Sequence, residues 1–539
     1  MEMKPLSRGL QRSALTAVLA FGAGVSIHGV HAQAPQLTRI VHIADGDVQG
    51  ATADSVDKFL GIRYAAPPVG DLRWRPPQAP ARWAGTLQAT KFGATCAQAA
   101  RGVFAAPSKS EDCLYINVFA PHAADAPAAK QPVMVWFHGG GLFSGESDDY
   151  DGSKLVQRGH VLLVTLNYRV GVLGFLSHPA LNGEGHPFIN YGIMDQQLAL
   201  KWVQQNIAAF GGDPGNVTIF GQSGGGTAVM ANLVSPLSKG LFHRAINESG
   251  TRIGDTDAAM ALQAGKDFAT AAGCTDQSAA CLRRLNIEQI LDHQAPIMKY
   301  LGGTFPVVDR TIISHTAAAA FSTGQFNRVP IINGLVADEQ AFFLPEANTH
   351  KPLTAKEVED YAASFGAEHA ATLLAKYPLA SYASPSLAEI AMAQGMKSCV
   401  ARLLDRQWSK YVPVYAYEFD DRTAPSYFPD LSYPMRAYHT AELQYLFPLF
   451  RGGQGRPHPL NDAQQKLSDQ IVDYWATFAR SGDPNRGSTE ELPSRLPIWH
   501  RYSAETDNFL ALNSPEPKMI DGYGKANDCA LWDSVLVFK

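Results

Sequence analysis

Asn216-Val217-Thr218-Ile219-Phe220-Gly221-Gln222-Ser223-Gly224-Gly225 is a short apolar and β-branched run that breaks into a Gly-rich turn, with a helix-compatible segment behind it. A serine hydroxyl is a poor nucleophile unless it projects into the open beside a base, and a strained strand-to-helix turn achieves that projection. Gly221 and Gly225 remove side chains where strand and helix pass closely, and Ser223 takes an unfavourable backbone region. Gly-rich turns after strands are common, so the five-residue pattern is weak alone; the strand in front and the helix behind it single out Ser223. The rival reading, a phosphate cradle, needs a Lys-Ser or Lys-Thr ending or a Gly-x-Gly-x-x-Gly spacing, and the run has neither.

A second glycine run, His138-Gly139-Gly140-Gly141, follows directly on the apolar segment Val133-Met134-Val135-Trp136-Phe137. Acyl transfer passes through an oxyanion that needs preorganised donors, and consecutive glycines let main-chain N–H groups reach it unhindered. Gly140, Gly141 and Gly224 are the expected donors. Other short apolar runs recur at Val161 to Asn167, Pro330 to Asn333 and Val412 to Phe419, with a helical pattern around Met194 to Asn206 that turns Trp202 and Val203 inward. This is how a mostly parallel buried sheet is written, and it predicts an α/β fold with helices on both faces. Asp255 to Val329 and Leu353 to Arg406 carry helical patterns without strand signals and read as insertions shaping a substrate gorge; the Ala-rich piece Ala120 to Ala129 reads as a surface loop.

With 539 residues, 46% apolar, 18% charged and 10% aromatic, the composition excludes disordered, collagen-like and coiled-coil chains. A net charge of −5 offers no drive toward phosphate backbones or anionic lipid, so nucleic acid is not expected as a partner. Lys4, Arg8 and Arg12 precede an uncharged stretch, Ser13 to Val25, and the small-residue site Val30-His31-Ala32. That pattern predicts a signal peptide over 1–32, cleavage after Ala32, a mature chain of 33–539 in the periplasm or extracellular medium, and no stable membrane anchor. The oligomeric state is not legible. Six cysteines in an exported chain permit fifteen pairings; spacing allows Cys96 with Cys113 and Cys274 with Cys281, leaving Cys399 for Cys529. No His-Glu-x-x-His or other ligand spacing occurs, so neither metal nor organic cofactor is expected.

Longer segments carry a resemblance. Phe59-Leu60-Gly61-Ile62-Arg63-Tyr64-Ala65, Glu111-Asp112-Cys113-Leu114-Tyr115-Ile116-Asn117-Val118, Asn206-Ile207-Ala208-Ala209-Phe210-Gly211-Gly212-Asp213-Pro214 and Cys529-Ala530-Leu531-Trp532 are similar to motifs of the type B carboxylesterases, the family of cholinesterases and bacterial esterases. The resemblance covers nearly the whole mature chain and implies the α/β-hydrolase fold. It implies a triad in the order Ser, acid, His, with Glu339 in Gly334-Leu335-Val336-Ala337-Asp338-Glu339 as the acid, Asp338 as local competitor, and His439 in Tyr438-His439-Thr440-Ala441-Glu442 as the base. By the same resemblance Ser249 supports the triad, the three cysteine pairs match the cholinesterase pattern, and Arg73 pairs with Glu111. The chain departs from the family at Gly224, where Ala is usual, leaving room that would loosen or enlarge the acyl side. It departs also at Gln340, where Gly is usual and the turn is put in question, and at Leu142, where an aromatic often follows the glycines.

The implied activity is ester hydrolysis through an acyl-enzyme, with a small-molecule ester as substrate. Cholinesterases place a Trp in the first disulfide loop to face a quaternary ammonium; Cys96 to Cys113 offers only Phe104, which disfavours choline esters and leaves apolar or aromatic esters. Two other readings use the same fold: a non-catalytic binding protein, as relatives that lose the nucleophile are, and a hydrolase of amides or lactones.

Overall fold

The computed structural model describes residues 36–536, apart from 101–104, 123–128, 186–188, 253–256, 298–305, 429, 453–454 and 486–495. The expected signal peptide, most of the Ala-rich loop and Phe104 therefore lie outside the described residues.

A twelve-stranded sheet forms the frame. Its strands in chain order are β1 Gln36–Leu37, β2 Ala51–Ala53, β3 Val56–Arg63, β4 Tyr115–Pro121, β5 Gln131–Phe137, β6 Leu162–Leu166, β7 Gly212–Gln222, β8 Arg244–Glu248, β9 Ile331–Val336, β10 Val414–Phe419, β11 Phe509–Leu512 and β12 Lys518–Ile520. They lie in chain order except that β6 sits between β4 and β5. From β6 through β5 to β11 every neighbour is parallel, and both flanks are antiparallel. A three-stranded sheet of Val41–Ile43, Gly46–Gln49 and Thr86–Gln88 adjoins the N-terminal strands.

The central strands are apolar at consecutive positions because both faces are covered. On β5, Val133, Val135 and Phe137 enter one core, while Met134 and Trp136 enter the other. The first core is closed by α2, Tyr191–Asn206, through Ala199, Leu200 and Val203, and by α3, Gly224–Val234. The second is closed by α1, Ser153–Gly159, and by α5, Asp462–Ser481. Leu467, Ile471, Trp475 and Phe478 give α5 its inward stripe, an Asn461/Gln464 capping box starts it and left-handed Gly482 ends it.

The chain leaves β5 for β6 on one side and leaves β7 for β8 on the other, so a crevice opens beyond the carboxyl ends of β5 and β7. Open α/β sheets bind their ligands at such switch points.

The segment Asp255 to Val329 forms short helices, Ala258–Ala271, Ala279–Arg284, Ile287–Asp292 and Ala317–Thr323, among its described residues. Leu353 to Arg406 behaves differently from a simple insertion. Its last helix, α4, Pro385–Trp408, covers the sheet: Asn333 on β9 donates to Ala401 O at 3.2 Å and to Asp405 Oδ1 at 2.8 Å. Strands β8, β11 and β12 were not legible because they are short, and β8 and β12 also carry polar residues; Asn247 and Glu248 on β8 are nevertheless buried.

All three cysteine pairs are bonded: Cys96–Cys113, Cys274–Cys281 and Cys399–Cys529. Arg73 forks onto Glu111, with Nε to Oε2 at 2.6 Å, and its Nη1 donates to Leu285 O at 2.6 Å. The first disulfide loop is thereby tied to the helical segment around residues 279–285.

Cys399–Cys529 joins α4 to the C-terminal helix Cys529–Val535 across 130 residues of chain. Replacing both cysteines by Ala releases that constraint on the unfolded chain, and the unfolding free energy measured in urea is expected to fall by about 4 kcal/mol.

Candidate functional site

Ser223 stands between β7 and α3 with φ 58° and ψ −119°, a left-handed conformation that a serine adopts only where its surroundings hold it. Its N–H donates to Glu248 O at 2.8 Å, and its carbonyl accepts from Thr227 N at 2.9 Å. The flanking glycines are sterically required. A Cβ at Gly225 would lie 1.9 Å from Phe137 O, and one at Gly221 would lie 2.6 Å from the same oxygen. The turn is wedged against the end of β5.

Glu339 opens a single 3-10 turn, Glu339–Phe342, just beyond β9. His439 comes from the segment following β10, and backbone pairing brings the two segments together: Asp338 N donates to Ala437 O at 2.9 Å, and Asp338 bridges to Tyr438. His439 Nδ1 contacts Glu339 Oε2 in a short hydrogen bond, and the two residues are 3% and 2% exposed. Asp338, the local competitor, turns away and faces Arg422 Nη1 at 3.4 Å and the Ala437 N–H. Glu339 is further fixed by Gln394, whose Oε1 accepts from Glu339 N at 2.8 Å.

The electrostatics separate Glu339 from its acidic neighbours. Burial alone would raise its pKa, but the interaction with His439, followed by Lys397 and Ser249, brings it below the usual carboxylate value. Burial instead pushes Glu248 up to about 7, and it raises Glu442 strongly, with Glu248 and Glu339 adding to the rise. Ser249 has φ 53° and a buried hydroxyl that falls outside strict hydrogen-bond geometry yet faces Glu339 closely enough for hydrogen bonding to help lower that carboxyl.

Gly140 and Gly141 both have positive φ, as does Leu142 at 66°. The loop is braced from behind: the His138 ring stacks on Tyr168 at 4.2 Å, and the Tyr168 hydroxyl donates to His138 O at 2.7 Å. The room expected at Gly224 is not free. A Cβ there would lie 2.6 Å from Gly141 N and 2.8 Å from Leu142 N, because the glycine loop has closed onto the turn. Gln340 does not disrupt its turn either; its side-chain Nε2 donates to Glu389 Oε1 at 3.2 Å and its Oε1 accepts from Lys397 Nζ at 3.0 Å.

Ser223, His439, Gly140 and Gly141 line one cavity of ≈ 210 Å³. Its other walls are mixed: Phe143, Phe342, Phe343, Tyr427 and Phe450 supply aromatic surface, while Glu146, Asp149 and Arg252 add charged groups. Phe343 and Phe342 also hold the His439 ring, at 4.7 and 5.2 Å between centroids. The aromatic walls come from loops beyond β5, β9 and β10; the described residues of Asp255 to Val329 and Leu353 to Arg406 do not line the cavity. Gln222, whose Nε2 lies 3.3 Å from His439 Nε2, and Gln394 escaped the sequence reading, since a lone glutamine carries no spacing signal.

With fold and site described, the likeness to known proteins is specific. The carboxylesterase family profile matches residues 37–532. Para-nitrobenzyl esterase of Bacillus subtilis (strain 168) is 34% identical over 507 residues, covering 88% of this chain and 95% of that protein. Cocaine esterase of Homo sapiens is 34% identical over 497 residues, covering 86% and 85% respectively. The solved structure of a PNB esterase superimposes with a TM-score of 0.76 at 32% identity, over 91% of this chain and 99% of that one. The chain belongs to the carboxylesterase family and is a carboxylic ester hydrolase with an α/β fold. Among the described residues no helix is long and apolar enough to cross a membrane.

The brace behind the glycine loop has a pH signature. Burial lowers His138 from 6.5 to about 4, opposed by its hydrogen bond to Gly139 O, and the residue is 1% exposed. As pH falls from 6.5 toward 4 the unfolded chain takes up a proton that the folded ring refuses, so stability present above 6.5 is lost across that window. Between pH 7 and pH 5, wild type is expected to lose about 2 kcal/mol more than a His138→Asn variant in urea unfolding.

Proposed function

We propose that the mature chain, 33–539, is an exported serine esterase in which Ser223 is the nucleophile, His439 the base and Glu339 the orienting acid. The observation carrying this is that His439, bound to Glu339, walls the same cavity into which Ser223 is held by a left-handed turn. With Nδ1–H donated to the Glu339 carboxylate, the Nε2 lone pair, which the Gln222 amide approaches at 3.3 Å in the resting site, is the one that takes the serine proton. Attack of Oγ on the ester carbonyl forms a tetrahedral oxyanion, received by the N–H groups of Gly140, Gly141 and Gly224. The imidazolium then protonates the departing alcohol. Water, deprotonated by the same ring, releases the acid and restores Ser223. Ser249 supports Glu339.

The aromatic walls favour apolar or aromatic esters, small molecules whose uncharged groups desolvate at low cost. The name of the para-nitrobenzyl esterase relative points the same way. Export to the periplasm or extracellular medium is supported by three disulfides, which persist in oxidising compartments.

Ser223→Ala is expected to abolish turnover of p-nitrophenyl acetate and covalent labelling by a fluorophosphonate, with an unchanged circular dichroism spectrum; retained labelling would assign the nucleophile elsewhere. Gly224→Ala keeps its N–H but forces Gly141 and Leu142 back, so kcat is expected to drop by roughly tenfold at little cost in KM, less than the loss of a whole donor. Steady-state kinetics on the same ester measure it.

A further inference from the structure

Lys397 on α4 stands near enough to Glu339 for its charge to lower that carboxyl. Protein surrounds the lysine closely while part of its surface still meets solvent. Two contacts hold the ammonium there: Nζ donates to Gln340 Oε1 at 3.0 Å, and it lies 4.1 Å from the centroid of the Phe343 ring. Both contacts lead into the site. Gln340 is the residue after Glu339, and Phe343 packs on the His439 ring at 4.7 Å. Gln394, one turn earlier on the same helix, accepts the Glu339 N–H.

We infer that Lys397 is a positioning residue for the Glu339–His439 pair, its cation balancing the buried carboxylate so that the pair does not capture a proton before Ser223 can give one. In the resting state the pair carries one negative charge in a nearly dry setting, and a proton from solvent would neutralise that charge while consuming the base. A cation near the carboxylate disfavours that capture. The inference rests on the roles proposed above for Glu339 and His439.

The surrounding charges are consistent with this role. Glu339 on the acid turn and Glu389 on α4 attract the ammonium, and Arg252, from the segment after β8, opposes it. Gln340 separates Lys397 from Glu389, whose carboxyl burial raises. Among the other buried groups nearby, burial holds Glu248, Glu442 and Tyr417 toward their neutral forms. Burial lowers Lys397 to about 8, with Glu339 resisting, so the cation is present at neutral pH and absent above pH 9.

The test is the pH dependence of kcat/KM on p-nitrophenyl acetate for wild type, Lys397→Met and Lys397→Arg. In the Met variant the acid limb is expected about one pH unit higher, so kcat/KM at pH 6 falls by about tenfold. Above pH 9, where wild type has also lost the charge, the two are expected to agree within about threefold. The Arg variant, permanently charged, is expected to keep the wild-type acid limb. A Met profile of wild-type shape, whether unchanged or lowered equally at every pH, overturns the inference, as does an Arg limb displaced as far as that of Met. Should Met not fold, Lys397→Gln, neutral and able to bond Gln340, carries the same expectation. Fluorophosphonate labelling of Ser223 distinguishes the two failures: a labelled enzyme with unshifted variants rejects only the role of Lys397, while a Ser223→Ala enzyme that still turns over rejects the triad itself.

Discussion

The carbonyl oxygen of Phe137 leaves no room for a side chain at Gly225 and almost none at Gly221. That contact brings the last residue of β5 against the turn after β7, and much of the site follows from it. Ser223, between the two glycines, has no regular conformation available and sits at positive φ. The glycine loop, which begins one residue after Phe137, necessarily emerges beside Ser223. Proposed nucleophile and oxyanion donors are therefore products of one close approach between two parallel strands, fixed by a sheet whose both faces are buried. Strain at Ser223 persists because two hydrogen bonds and the wedge over-determine it.

The same neighbourhood shows how environment divides one residue type into different states. Glu248, Glu339 and Glu442 are all buried, each no more than 4% exposed. Glu248 has a single indole donor, Trp475 Nε1 at 2.8 Å, and stays near neutral. Glu442 is raised further, because the neighbouring carboxyls of Glu248 and Glu339 add to its burial. Glu339 alone among these three has an imidazole, a lysine and the Val336 N–H, at 3.3 Å from its Oε1, to favour the charged form, and it remains ionised. Two carboxyls held toward neutrality, together with one held charged, keep the negative potential around His439 from accumulating, which is the pattern by which neighbouring acids acquire distinct roles.

The frame and the proposed triad were legible in the sequence for physical reasons. Strands β5, β6, β7, β9 and β10 are apolar at consecutive positions because helices bury both faces, and they end where glycine or a polar residue is sterically needed. His439 and Glu339 were found through resemblance, since nothing local in Tyr438-His439-Thr440 marks a base. The edges were less legible. Strand β12 spans Lys518–Ile520 and pairs on one side only, so no burial pattern is imposed on it. The helical insertions were read as roofing the gorge, whereas loops of 339–343 and 427–452 supply most of the aromatic wall. Loop positions answer to no period, and only three-dimensional proximity reveals them.

The departures from the family pattern are where the structure adds most, because each is matched by something nearby. The methyl missing at Gly224 is replaced by the Gly141 and Leu142 amides, which gives a tighter turn in place of a roomier one. The side chain gained at Gln340 is taken up by Glu389 and Lys397 on α4, so a position that could have destabilised the acid turn instead fastens it to the helix covering the sheet. Neither change alters the proposed reacting groups. Both alter how rigidly those groups are held, one on the side of the oxyanion donors and the other on the side of the acid. A chain that keeps its chemistry in the sheet and varies its supports can retune rate and pH response while leaving the aromatic loops free to set which ester enters.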